Sequence, residues 1–221
     1  MNDHNYNWLG RLYFWTARKL YQEFAWTYDL VSWLVSFGRW AGWRRAVLPY
    51  LQGERILEIG FGTGELLLEL TAKGYNVFGL DRSSKMHRIT GRKLDRESVQ
   101  LPRVLGEAQA LPFASHSFDT VISTFPAEFI MAYTTLAEVS RLLSLPKASM
   151  MQDGGRLVMV GVPAARENTR KKAFLEKLLA INIQDTQDQF LAMVRSAGLK
   201  VTLEYPDGLG VDNPVVILTH A

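Results

Sequence analysis

Three glycines at alternate positions, Gly60, Gly62 and Gly64, interrupt the apolar stretch ILEIGFGTGELL that runs from Ile56 to Leu67. Glycines placed this way after a strand let the backbone come close to a ligand at a strand-to-helix turn. A nucleotide-like ligand is the first expectation. The dinucleotide fingerprint is G-x-G-x-x-G, and its third glycine packs helix on strand behind a pyrophosphate. Here that position holds Glu65. A carboxylate in the first turn of the helix would repel a pyrophosphate if it pointed inward. A P-loop does not fit either, because no Gly-Lys-Ser/Thr follows. The turn admits a ligand that need not carry phosphates.

A second acid, Asp81, ends the run NVFGLD. A carboxylate there can accept hydrogen bonds from both hydroxyls of a ribose. A third element is GEAQALPF, residues 106–113, where Glu107 or the backbone beside Ala108 could meet the amine and ring edge of an adenine. Together these describe an adenosine with a small, phosphate-free tail.

The elements that must position these residues alternate. RILEIG reads as a short buried strand and GELLLELTAKG as a helix ended by Gly74. NVFGLD is a second strand and SKMHRITGRKL a polar helix; RVLGEAQALPF holds a short third strand, and FDTVISTF is a fourth. FIMAYTTLAEVSRLLS is a helix, GRLVMVGV a fifth strand, and helical stretches follow near 168–182 and 186–197. LKVTLEY and NPVVILTH close the series. The spacer between them, PDGLGVDNP, is too short for a crossover helix, so these two strands should pair as an antiparallel hairpin. The expected fold is α/β, a doubly wound and mainly parallel sheet.

The totals fit one such domain with a small extension: 221 residues, 48% hydrophobic and 21% charged. There is no cysteine, which excludes disulfides, thiolate zinc sites and a cysteine nucleophile, and fits a reducing compartment. The four histidines, His4, His87, His116 and His220, show no metal-ligand spacing, and no metal is expected. No apolar run reaches the about 18 residues needed to span a bilayer, and the opening MNDHNYNWLGRLYF is not a secretory signal. A cytoplasmic protein is the expectation. The basic stretch 82–103 carries no aromatic residue to stack on bases. It reads as a solvated face rather than a nucleic-acid site.

With these residues in order, the chain resembles the class I S-adenosylmethionine-dependent methyltransferases of the type 11 kind. ILEIGFGTG, VFGLDRSSKM, GEAQALPFASHSFDTVIST and GGRLVMVGV carry the resemblance, which extends over about residues 28–219. It implies a Rossmann-like seven-stranded sheet with the last strand antiparallel, and S-adenosylmethionine as cofactor. It also implies roles. Gly60, Phe61, Gly62, Thr63 and Gly64 would line the methionine part of the cofactor, and Glu58 would help hold its amino group. Asp81 and Arg82 would serve the ribose side, and Glu107 and Ala108 the adenine. Thr124 and Phe125 would border the sulfonium and the acceptor. The bland alternatives are a solvated strand end for Glu58, a helix cap for Asp81 and a surface acid for Glu107.

The acceptor is harder to read, because an in-line displacement at an activated methyl needs mainly alignment and a dry site. After the fourth strand stands TFPAEF, Thr124 to Phe129, with no amide or carboxylate beside Pro126 to take an exocyclic amine. Methylation of base amino groups is therefore disfavoured. Glu128 could act as a base, or simply favour the start of the next helix. Residues 1–50 hold all six tryptophans and read as helices at about 6–26 and 29–48. They form an aromatic-rich helical extension or lid ahead of a cofactor-binding domain at 51–221. The segment YDLVSWLVSFGRWAGWRRAVLPYL is similar to the equivalent part of quinone-biosynthesis C-methyltransferases and phospholipid N-methyltransferases. By that likeness Tyr28 reaches the cofactor or acceptor, and Tyr28, Trp33, Phe125, Pro126 and Phe129 are the substrate candidates. A hydrophobic small acceptor, such as a quinone precursor or lipid, is expected. The helix at 6–26, with Arg11, Arg18 and Lys19 among its aromatics, could also lie on an anionic membrane surface or pack on the core. An RNA methyltransferase and a non-catalytic binding module are the rival readings. The oligomeric state stays open.

Overall fold

Apolar residues fill RILEI almost without alternation, as befits a strand covered on both faces. In the computed structural model this segment is β1, Arg55–Ile59. The structure describes residues 40–126, 128–146, 154–161, 183–206 and 214–221. Within them β2 is Asn76–Asp81, β3 Arg103–Leu105, β4 Thr120–Thr124, β5 Arg156–Val160, β6 Leu199–Glu204 and β7 Val215–His220. The helices are α1 Trp40–Arg45, α2 Glu65–Ala72, α3 Ser84–Arg96, α4 Tyr133–Leu142 and α5 Ile183–Ser196.

The seven strands form one sheet in the order β3-β2-β1-β4-β5-β7-β6. β1 to β5 are mutually parallel, and β7 runs antiparallel to both β5 and β6. The antiparallel hairpin expected from the short spacer is present, with its second strand inserted between β5 and β6 rather than added outside. Successive side chains of a strand point to opposite faces. Leu57, Ile59, Leu157 and Met159 thus join one core with Leu136 and Val139 of α4 and Val194 of α5. Ile56, Val158 and Val160 join the other with Leu66, Leu67 and Leu70 of α2. Ala46 and Val47, just ahead of β1, are buried in that second core.

Asp119 fixes where β1 starts beside β4. Its carboxylate accepts from the Glu54 and Arg55 amides at 3.2 and 3.1 Å and from Arg55 Nη2 at 2.7 Å. A methyl group on Gly53, whose φ is +66°, would overlap that carboxylate at 2.4–2.6 Å.

Three element expectations change. The single helix expected across 129–144 is divided: a 3-10 turn at Glu128–Met131 comes first, and extended Ala132 separates it from α4. The second late helix begins earlier, at Ile183. Ahead of β1, α1 is followed by a 3-10 turn at Leu48–Tyr50, with Pro49 inside that turn. The helices expected at 6–26, across most of 29–48 and at 168–182 lie outside the described residues. No helix among the described residues is long and apolar enough to cross a membrane.

Candidate cofactor site

Between β1 and β4 the strand order reverses, and in open α/β sheets ligands bind outside the carboxyl ends of the strands at that point. The loop after β1 lies there. Gly60, Gly62 and Gly64 have φ of 76°, 53° and 77°, the left-handed region that only glycine enters freely. Two of them show why. A methyl group on Gly64 would sit 2.4 Å from Thr90 Cγ2 of α3, whereas one on Gly62 would meet nothing within 4 Å among the described residues. Gly64 is therefore spent on packing, and Gly62 faces open space.

The loop is tied down from both sides. Thr90 Oγ1 donates to the Gly62 carbonyl at 2.9 Å, and the Gly62 amide donates to Asp81 Oδ2 at 2.9 Å. Asp81 Oδ1 accepts from the Ser83 amide at 2.8 Å, and Ser83 itself caps α3 by accepting from the Met86 amide. The helix cap is thus Ser83, and Asp81 is a buried acid (2% exposed) joining two loops. Burial raises its pKa above the ordinary value, against the pull of the Ser83 and Gly62 amides. An ionised carboxylate has about four lone-pair sites. Two are taken here, and one on each oxygen is left for a vicinal diol. The Gly106 amide donates to the Asp81 carbonyl at 3.2 Å, which brings the 106–108 segment alongside.

Glu58 is the other buried acid at this end of the sheet, 1% exposed on β1. Burial pushes its pKa up to about 8; the Arg44 guanidinium works the other way, and Asp81 adds to the rise. Its Oε2 has no hydrogen-bond partner among the described residues. A buried acceptor left open in this way suits a cationic donor. The solvated-strand-end alternative for Glu58 does not hold.

Past β4, Phe125 adopts φ 49°, a sparsely populated conformation for a bulky residue. Its amide is held by the Val160 carbonyl at 2.8 Å, and its ring lies where a methyl group on Gly161 would overlap it at 2.2 Å. Trp43 packs on it from α1 with ring centroids 6.3 Å apart. Phe129 approaches Gly60 from the turn after β4.

The structure therefore gathers Glu58, Gly60, Gly62, Thr63, Gly64 and Asp81 at the ends of β1 and β2, with Thr124, Phe125, Pro126 and Phe129 on the β4 side. Arg82 is exposed, Glu107 is exposed on a turn, and Ala108 is buried beneath it. Phe61 departs from its expected role: its ring is buried, edge-on to His87 at 4.9 Å and against Gly79. Only its backbone can face a ligand. Glu65 pairs with Lys93 of α3 instead of pointing inward. Tyr28, Trp33 and the side chain of Glu128 lie outside the described residues. Thr90, Ser123, which bonds the Ile59 carbonyl at 2.9 Å, and Arg44 are site or near-site residues that sequence reading missed.

Residues 56–145, the span that carries this loop, both acids and β4, match the methyltransferase domain family. That span is similar to a methyltransferase domain, and it carries the candidate cofactor site. A demethylmenaquinone methyltransferase of Thermus thermophilus is 33% identical over 150 residues, covering 65% of this chain and 64% of the relative. One of Thermotoga maritima is 35% identical over 115 residues, 49% and 48% of the two chains. The chain thus spans less than two thirds of either relative's length. The crystal structure of a Pyrococcus horikoshii protein superposes with a TM-score of 0.60 at 16% identity, over 84% of this chain and 92% of that one. A crystal structure from Methanococcus maripaludis gives 0.56 at 18% identity, over 85% and 89%. At these identities the likeness concerns the fold.

The site residues fit S-adenosylmethionine. Asp81 keeps two acceptor positions for a ribose, Gly62 leaves room, and Glu58 offers an open, buried oxygen for an ammonium. Glu65 and the glycine spacing leave no phosphate cradle of the dinucleotide kind.

Proposed function

We propose that this protein transfers a methyl group to a hydrophobic small acceptor, a quinone precursor in the first place. The observation that carries this reading is its likeness to demethylmenaquinone methyltransferases, 33% identical over 150 residues in one case. The aromatic border of the site supports it: Phe125, Trp43 and Phe129 present rings rather than charges on the side where an acceptor would approach.

The bound cofactor supplies a sulfonium-activated methyl group for in-line displacement. The chain's own work is then to orient and to exclude water. Asp81 fixes the adenosine end, the glycine loop and Glu58 the amino-acid end, and Phe125 and Phe129 shut water from the β4 side. Aromatic carbon methylation also requires an acceptor hydroxyl to give up its proton so that the ring carbon can attack, and that carbon then loses its own hydrogen as the ring rearomatises and the hydroxyl is restored. Glu128 and Tyr28 are the groups proposed to take the hydroxyl proton. Residues 1–50 are proposed as the lid that completes the acceptor pocket with Tyr28 and Trp33. Their helix at 6–26 is proposed to meet a membrane surface where such acceptors dissolve.

The test combines purified protein, methyl-tritiated S-adenosylmethionine and a lipid extract containing demethylated quinones, followed by organic partition. Enzyme-dependent label in the organic phase, on a quinone by mass analysis, is the expected result. Label in RNA or protein would overturn the acceptor assignment. Cofactor binding with no transfer to any extract would favour a binding module.

A further inference from the structure

Three consecutive residues at the end of α1 reach three different parts of the fold. Trp43 meets Phe125 beyond β4. Arg45 Nε donates to both carboxylate oxygens of Glu69 on α2, at 3.0 and 2.8 Å. Arg44 lies between them, and its charge is felt at Glu58 on β1. The two flanking contacts pin this short helix across the carboxyl end of β1 and so fix where Arg44 stands.

Arg44 is half-buried, and its Nε is buried without a hydrogen-bond partner among the described residues; Glu58 Oε2 is in the same condition. Arg44 stands near enough for its charge to act on the Glu58 carboxyl, which without a ligand is protonated at pH 7, yet both groups leave those atoms unsatisfied. Buried charged groups are ordinarily paired and hydrogen-bonded, because burying them alone is costly. Two unsatisfied buried atoms, on groups able to carry opposite charge, suit a ligand with matching charges, and among the described residues a methyl group on Gly62 would meet nothing within 4 Å.

We propose that Arg44 binds the carboxylate of the cofactor's methionine end while Glu58 binds its ammonium, so that α1 and β1 together hold an α-amino-acid zwitterion. The guanidinium offers a planar fork of donors that suits a carboxylate. The proposal rests on the S-adenosylmethionine reading of the site. It extends that site to a segment ahead of the matched span 56–145.

The test measures binding of S-adenosylmethionine and of decarboxylated S-adenosylmethionine to the full chain by calorimetry. The second ligand keeps the adenosine, sulfonium and amine and lacks only the carboxylate. The wild type should prefer the first by about tenfold or more, and Arg44→Gln should lose that preference while holding the decarboxylated ligand within about twofold. Arg44→Lys should restore part of the preference. A structural role alone would weaken both ligands equally. Equal losses, or an unchanged preference in Arg44→Gln, overturn the clamp and leave the cofactor reading standing. Failure of the wild type to bind either ligand overturns the cofactor reading itself, and the clamp with it.

Discussion

The Gly62 amide donates to Asp81 Oδ2 at 2.9 Å, so the middle glycine of the β1 loop and the acid ending β2 act as one unit. Asp81→Ala therefore removes the acceptor of two backbone amides as well as the ribose site. It should lower affinity for S-adenosylhomocysteine by about a hundredfold and cost about 2 kcal/mol of stability. Calorimetry and thermal unfolding read the two effects separately. Lost stability with unchanged affinity would assign Asp81 to the fold alone.

Glu58 gives the protein a proton to trade. With its pKa raised from 4.5 to about 8, the folded state holds a proton between those values that the unfolded chain has lost. Its contribution to stability is full below 4.5 and disappears as pH rises toward 8. Glu58→Gln should flatten that decline in a series of melting curves. The arriving ammonium favours the ionised form. At pH 7, S-adenosylhomocysteine binding should therefore release close to one proton, and affinity should rise with pH up to about 8. Calorimetry in two buffers of different ionisation enthalpy counts the proton. A count near zero would mean that Glu58 does not meet the ammonium.

The two loop glycines should separate folding from binding. Alanine at Gly64 adds a 2.4 Å overlap with Thr90 to an unfavourable φ. It should destabilise the fold by about 3 kcal/mol. Alanine at Gly62 suffers only the backbone cost, about 1–2 kcal/mol, and places its methyl in open space. It should weaken S-adenosylhomocysteine more than its loss of stability accounts for. Normal binding by Gly62→Ala would show that the cofactor does not pass that atom.

Much of this was legible in the chain. Apolar runs ended by Gly60, Asp81 and Thr124 announced three parallel strands whose ends meet, and the short spacer before Pro214 announced a hairpin. What escaped were residues whose partners are remote in sequence. Thr90 sits in a helix that reads as polar, and only the stripe Met86, Thr90 and Leu94 turns inward to reach the loop. Ser123 looks like any strand serine until β4 pairs with β1. Phe61, flanked by glycines, suggests a ligand contact, but the gap above Gly79 draws its ring into the core. The break at Ala132 has no glycine or proline to signal it.

The insertion of β7 also sets a schedule for synthesis. Among the described residues β6 pairs with β7 and with no other strand, and the side of β5 away from β4 takes the same segment. A nascent chain that has passed Glu204 but not reached Val215 carries two open strand edges, either of which can recruit a foreign strand. Residues 215–220 close both at once. A ribosome that stalls between them would release an aggregation-prone intermediate rather than a protein short of one strand.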